Sequence, residues 1–321
     1  SFVMLYESKQ HYEHLLNEYY QKYFDREPDK TGFQYYLELL LNGKLTENEL
    51  RLIFLKSDEY RSFQQKTIAH KKLLLQNNNS YVYKGKFGIL YNIDPLSMLD
   101  NVVESQGIWN EFLITILQNF LQKNSIIFDI GANVGLFTLP FAKILASSGM
   151  VYSFEPNMQI RLKLLNNIKL NVLKNVVIEE YALQNDPTIS TQEFYVRHAL
   201  QEDGRINYGI STLTKNPSHN INMEIVKIIT LDNYIDKYNV NNIDLLKIDV
   251  EGTDFDVLIG GKKCIDMYKP IIVYEFSPIL DNEINFKNTK LCFEFLKNKN
   301  YIQFRLNKNN LTELKSYDPS I

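Results

Sequence analysis

Residues 126–138 read Ile126-Ile127-Phe128-Asp129-Ile130-Gly131-Ala132-Asn133-Val134-Gly135-Leu136-Phe137-Thr138. The spacing predicts a buried strand that runs into a glycine-rich turn and then a helix. Gly131 can take backbone angles that a side chain forbids, and it lets a ligand approach the main chain. Gly135 lets the start of the helix pack closely. Asp129, at the strand end, can order amide hydrogen bonds around the turn. The next strand, Val151-Tyr152-Ser153-Phe154, delivers Glu155 24 positions after Gly131. In doubly wound folds an acid at that place bonds the two hydroxyls of a ribose.

Turn and acid together point to an adenosine ligand. A dinucleotide turn uses Gly-x-Gly-x-x-Gly, whose middle glycine admits a pyrophosphate. Here Asn133 holds that place. Its bulk disfavours pyrophosphate and suits a smaller ligand with a polar amino-acid end. S-adenosylmethionine fits, and NAD is not expected to bind. As a strand-end site residue, Glu155 is expected to contribute little to the core.

Outward from the turn, short apolar segments alternate with helical ones: 126–130, 151–155, 176–181, 245–250, 271–276 and 301–306. That alternation argues for a parallel sheet covered by helices. Upstream, to about Gln76, the pattern is helical. Tyr12 to Phe24 contains no Gly or Pro, Pro28 and Gly32 punctuate it, and Phe33 to Leu41 stops at Gly43. Thr46 and Glu49 form a capping box, and Ser57 would cap a last helix towards Leu75, giving about four short helices. Gln76-Asn77-Asn78-Asn79-Ser80 is the linker candidate, so the expected division is 1–76 and 77–321.

Composition fits two ordinary domains. The chain has 321 residues, 45% hydrophobic and 23% charged, enough for a normal core. The formal charge of −3 does not favour a dedicated nucleic-acid binder. Two cysteines, Cys264 and Cys292, make neither a disulfide framework nor a zinc cluster, and point to a reducing, cytoplasmic setting. No apolar run approaches a membrane span, and the first residues lack the basic and apolar regions of a signal peptide.

The stretch 11–65 resembles a small helical domain of unknown function, similar in pattern to phycobilisome-linker modules. Tyr23-Phe24-Asp25-Arg26-Glu27-Pro28-Asp29, Gly32, Gly43-Lys44-Leu45-Thr46 and Ser57-Asp58-Glu59-Tyr60 carry the likeness. It implies four packed helices, attachment to a protein partner or further domains, and no chemistry. Arg26, Asp29 and Gly32 read equally as the turn between two helices.

Residues from about Leu90 to Phe304 resemble the FkbM family of S-adenosylmethionine-dependent methyltransferases. Asp129 to Gly135 match its cofactor turn and Phe154-Glu155-Pro156-Asn157 its ribose strand. Ile229 to Ile235, followed by Asp244-Leu245-Leu246-Lys247-Ile248-Asp249-Val250-Glu251-Gly252, match its most distinctive block, and Pro270 to Glu275 the strand after it. The resemblance implies a Rossmann-like sheet of seven strands with the last antiparallel. It also implies O-methylation of a hydroxyl on a carbohydrate, in surface glycan assembly, or on a polyketide or other small molecule. Pro156 and Ala182 complete the cofactor set of Asp129, Gly131, Asn133, Gly135 and Glu155. Two departures stand out: Pro140, about a turn into the first helix, and the segment 198–222, which aligns only at Gly209 to Leu213.

Asp249 falls at the carboxyl end of an apolar strand, the edge where open α/β sheets bind ligands, with Glu251 two places on and Glu275 ending the neighbouring strand. Two mechanisms follow. Asp249 or Glu251 would act as general base towards the acceptor hydroxyl. Alternatively, Asp249 and Glu275 would hold Mg²⁺ or Mn²⁺, which lowers the pKa of the acceptor's oxygens. A bland alternative makes Asp249 and Glu251 helix caps. The five histidines are scattered. Of these, His198 and His219 lie where an acceptor could dock.

Overall fold

The computed structural model describes residues 2–24, 26–62, 80–145, 148–197, 199–200, 206–207, 211–213, 221–276, 288–307 and 310–317. The chain divides into two compact units near residue 78.

In the first unit, helices α1 (Phe2–Phe24), α2 (Lys30–Leu41) and α3 (Glu47–Lys56) enclose Leu16, Tyr20, Tyr23, Leu37, Leu40, Leu50 and Phe54. Asp29 caps α2 by accepting from the Gly32 amide at 2.7 Å, and the Thr46–Glu49 capping box opens α3. Arg26 grips Glu59 with two donors, Nε at 2.6 Å and Nη2 at 3.1 Å. The notable polar residues around 26–32 are therefore occupied in building the turn. Ser57 accepts from the Tyr60 amide at 3.1 Å as an N-cap would. Residues 58–62 are helical. The rest of the expected last helix lies outside the described residues.

In the second unit, a hairpin of β1 (Tyr81–Lys84) and β2 (Leu90–Ile93) precedes helices α4 (Met98–Gln106) and α5 (Glu111–Gln118). The alternating part then begins. Strand β3 (Ile126–Ile130) leads to α6 (Thr138–Leu145), β4 (Met150–Phe154), α7 (Met158–Leu170) and β5 (Val176–Glu179). Five short or paired strands follow: β6 (Tyr181–Leu183), β7 (Thr191–Arg197), β8 (Ala199–Leu200), β9 (Ile206–Asn207) and β10 (Ile221–Ile229). The chain closes with α8 (Leu231–Tyr238), β11 (Leu245–Ile248), α9 (Asp254–Gly260), α10 (Lys262–Tyr268), β12 (Ile271–Tyr274), α11 (Asn288–Asn298), β13 (Gln303–Asn307) and β14 (Asn310–Leu314).

The central sheet is parallel, in the order β12-β11-β3-β4-β5. The strand order reverses beside β3, so the carboxyl ends of β3, β4 and β11 open a crevice at the switch point. Apolar residues alternate across the sheet. Ile127, Val151 and Leu245 join one core, while Phe128, Ile130, Phe154, Leu246 and Ile248 join the other. This α/β Rossmann-like layering agrees with the sequence. Among the described residues, however, the sheet has five strands and not seven. The segment expected at 301–306 pairs with β14 in a separate antiparallel hairpin.

Pro140 is the third residue of α6, within the first turn, where a helix tolerates proline best. A second sheet, β6-β10-β7, packs Ala182, Phe194, Val196, Leu213, Val226 and Ile228 together. Among the described residues no helix is long and apolar enough to cross a membrane. Cys264 and Cys292 are buried free thiols.

Candidate active site

The turn after β3 is built by backbone constraints. Gly131 has φ +75, and a Cβ placed there would sit 1.9 Å from the carbonyl oxygen of Asp249. Glycine is therefore required because the β3 turn rests on the backbone leaving β11, which adds to the ligand access expected from sequence. Asn133 also stands in the left-handed region at φ +50, which asparagine tolerates better than most residues. Its side-chain oxygen accepts from the Val134 amide at 2.8 Å, closing a tight local turn. Gly135 allows close packing: a Cβ there would lie 2.8 Å from Leu164 of α7.

Glu155 is 6% exposed at the end of β4. Its two carboxylate oxygens accept from the Asn133 amide at 3.0 Å and the Asn157 amide at 2.9 Å. It thus ties the glycine turn to the N-cap of α7. Burial pushes its pKa up to about 7, against the lowering effect of those two amides. The expectation that Glu155 contributes little to the core does not hold. Removing its side chain would strand two amides.

A pocket opens at this crevice. Gly131, Asn133, Glu155, Pro156 and Ala182 line it from the β3–β6 side, and Asp249, Glu251 and Thr253 from the β11 side. Tyr181, Phe194, Ser211 and Leu213 complete its wall. Asp129, Gly135 and Glu275 do not line it. Asp129 is 1% exposed beneath the turn, where the Thr138 hydroxyl donates to its Oδ2 at 2.7 Å.

Three acids crowd the end of β11. Asp249 has a side chain 45% exposed. Glu251 sits at φ +55, and its pKa is pushed up to about 9 by burial and then by the charges of Asp249, Glu275 and Asp254. Asp254, fully buried at the start of α9, is raised to about 7 by burial, Asp249 and Glu275. Sequence reading missed two residues here. Thr212 donates its hydroxyl to the Glu251 carbonyl at 2.9 Å. Lys247, read only as part of an apolar strand, is 5% exposed and approaches Asp129, Asp249 and the Gly131 carbonyl. A lysine inside an otherwise apolar strand was the available signal, since lysine is almost never fully buried unless paired.

The fit to S-adenosylmethionine is a matter of donor and acceptor chemistry. Glu155 supplies a carboxylate at the pocket wall. The Asp249 side chain at the other end suits a ligand carrying a sulfonium and an ammonium. Among the described residues no group of three or more His, Cys, Asp or Glu side chains is arranged to hold a metal ion. The Asp249–Glu275 pair is therefore not supported as a cation site. His198 and His219 lie outside the described residues.

Comparison with known proteins gives two matches to family models. The methyltransferase FkbM domain matches residues 129–303, and a domain of unknown function, DUF4214, matches residues 1–63. The tRNA(Phe) (4-demethylwyosine(37)-C(7)) aminocarboxypropyltransferase of Methanocaldococcus jannaschii is 31% identical over 109 residues, which are 34% of this chain and 40% of that protein. The chain thus spans well under half the length of that curated relative. Two solved structures are similar in part. Methyltransferase FkbM from Methylobacillus flagellatus is 14% identical, covering 60% of this chain and 43% of that one, with a TM-score of 0.38. M. jannaschii TYW2 in complex with AdoMet is 26% identical, covering 33% and 47%, with a TM-score of 0.24.

Proposed function

Since the chain belongs to the methyltransferase FkbM domain family, we propose that it is an S-adenosylmethionine-dependent O-methyltransferase acting on a carbohydrate hydroxyl in surface glycan assembly. The observation that carries this reading is one pocket lined by Glu155 at the end of β4 and by Asp249 and Glu251 after β11. A ribose-binding acid and a proton acceptor thus face the same space. Phe194 and Tyr181 beside these polar groups suit a sugar, which has apolar ring faces and a polar rim.

When bound, S-adenosylmethionine would supply a methyl group carried on a sulfonium, with the sulfur as leaving group. Glu155 and the turn at Gly131–Asn133 would hold the adenosine and amino-acid ends. Asp249 takes the hydroxyl proton as the acceptor oxygen forms its bond to carbon. Glu251, with its pKa near 9, keeps its own proton at neutral pH and is the poorer acceptor. Phe194, Ser211 and Leu213 shape the acceptor side and help exclude water. We assign this chemistry to residues 77–321, and to residues 1–76 a docking role towards a protein partner or further domains.

Incubation with labelled S-adenosylmethionine and a panel of glycans tests the acceptor, with polyketides as the contrast. Label in a glycan supports the assignment, and label only in a polyketide replaces it. Calorimetry with S-adenosylmethionine, S-adenosylhomocysteine and NAD tests the cofactor. Tighter binding of NAD would overturn it.

A further inference from the structure

The register of the central strands sets Lys247 level with Asp129, and Asp129 level with Ser153. The three side chains therefore form one polar row across β11, β3 and β4, on a face otherwise filled by Ile127, Val151 and Leu245. Thr138 of α6 closes the row, with its hydroxyl 2.7 Å from Asp129 Oδ2 and 2.8 Å from the Ser153 hydroxyl. Asp129 Oδ1 then faces Lys247 Nζ at 3.1 Å.

Neutralising Asp129 would account for one side of the ammonium only. Lys247 Nζ also donates to the Gly131 carbonyl at 2.8 Å, lies 3.7 Å from Asp249 Oδ2, and sits over the Phe137 ring at 5.3 Å. An ammonium carries three donors: here the Gly131 carbonyl accepts one, Asp129 Oδ1 is the near ion-pair partner, and the Asp249 side chain is an ion-pair neighbour beyond hydrogen-bond distance. Burial pulls the Lys247 pKa down, but Asp129 and Asp249 outweigh it and leave it raised, so the side chain stays charged. A buried ion pair is seldom the cheapest way to fill a core, since apolar residues of similar volume do as well or better. Its place on a central strand, with one donor on the carbonyl of a pocket-lining turn, indicates a role in placing that turn.

We propose that Lys247 is a positioning residue that locks the glycine turn and the Asp249 carboxylate into one rigid unit, so that cofactor and proton acceptor keep a fixed separation. The statement about the turn stands on the free protein. The statement about cofactor rests on the proposed function.

The test compares Asp129→Asn, Lys247→Met and the double variant in the full chain. Thermal unfolding, calorimetry with S-adenosylhomocysteine and hydrogen exchange at residues 131–135 are the readouts, with β12 as the internal reference for exchange. Lys247→Met leaves Asp129 buried without its ion pair and should unfold at lower temperature. The double variant removes both charges and should recover much of that loss. It should nevertheless exchange residues 131–135 at least tenfold faster than wild type, with β12 unchanged, and bind the ligand at least tenfold more weakly. Asp129→Asn alone keeps Lys247 on Gly131 and Asp249 and should match wild type in both. Wild-type exchange at 131–135 in the double variant, or an equal rise in β12, overturns the proposal. If wild type itself fails to bind the ligand, the cofactor reading falls, and the exchange result still decides the role of Lys247 in the turn.

Discussion

The Thr212 hydroxyl donates to the carbonyl of Glu251 over 2.9 Å, and Glu251 is held in the left-handed region at φ +55. A side chain there costs about 1 kcal/mol that a glycine would avoid. Thr212 is itself fixed, exchanging backbone hydrogen bonds with Tyr195 of β7 at 2.9 and 3.1 Å. The second sheet thus reaches across to hold the turn after β11. Thr212→Val should cost about 1 kcal/mol of stability and lower turnover more than cofactor affinity. Glu251→Gly should raise the melting temperature at pH 8 while lowering turnover. A fall in both would show that Glu251 supports the fold and is not held there at a cost.

Glu155 separates two contributions. Glu155→Ala leaves the Asn133 and Asn157 amides without their acceptor, and each buried unpaired group costs roughly 1–3 kcal/mol. It should also weaken cofactor binding by roughly 1.5–3 kcal/mol. Glu155→Gln keeps one acceptor and should restore part of the stability. Calorimetry and thermal unfolding on both variants check this. An unchanged dissociation constant would place the ribose elsewhere.

Stability should fall as pH rises above about 5. In the folded chain Glu155 and Asp254 titrate near 7, Asp100 near 6 and Glu251 near 9, against ordinary values of 3.8 to 4.5. Each binds its proton more tightly folded than unfolded. The contribution is complete below the unfolded value and is lost as pH climbs through the folded one. Exposed acids held low, such as Asp29, Glu49 and Asp266, lose stability only on the acid side of that window. Melting temperatures from pH 5 to 9 test the sign. Glu251→Gln should flatten the slope above pH 7, and a rising curve would contradict the burial of these acids.

Asp249→Asn should retain S-adenosylhomocysteine binding and lower turnover by ~10²–10⁴-fold. If Asp249 acts as the base, chelator should leave wild-type turnover unchanged. Full turnover in the variant would reduce Asp249 to a structural turn residue.

Residues 77–321 expressed alone should fold and bind cofactor, because the central sheet and the pocket lining all lie after residue 80. Cooperative unfolding with wild-type affinity is the expected result. Failure to fold would show that the helical segment shares its core.

Much of this architecture was legible because it depends on local sequence. Apolar runs of four or five residues gave β3, β4, β11 and β12, and Gly131, Asn133 and Glu155 stood out by spacing. What escaped notice depends on register and on contacts between distant segments. Lys247 meets Asp129 because β11 lies parallel to β3 in one particular alignment, which periodicity does not specify. Thr212 reaches Glu251 through a second sheet whose pairing runs against β7 and along β6. The need for glycine at 131 was seen, but its cause, the Asp249 carbonyl, was not. The strand at Gln303–Asn307 was found, but whether it joins the main sheet or pairs with its own neighbour is a tertiary choice.

The placement of β11 beside β3 has a consequence for the order of synthesis. The Gly131 carbonyl and Lys247 are 116 positions apart in the chain. At roughly 5–20 residues per second, a ribosome that has made the glycine turn works for about 6–23 s before it adds the lysine that fastens it. β3, β4 and β5 can pair during that interval, but with one edge of β3 open and the crevice lacking a wall. A chain released between about residue 155 and residue 250 would carry the glycine turn and Glu155 without the β11 side of the pocket. The pocket is therefore completed late in translation, when its β11 side is made.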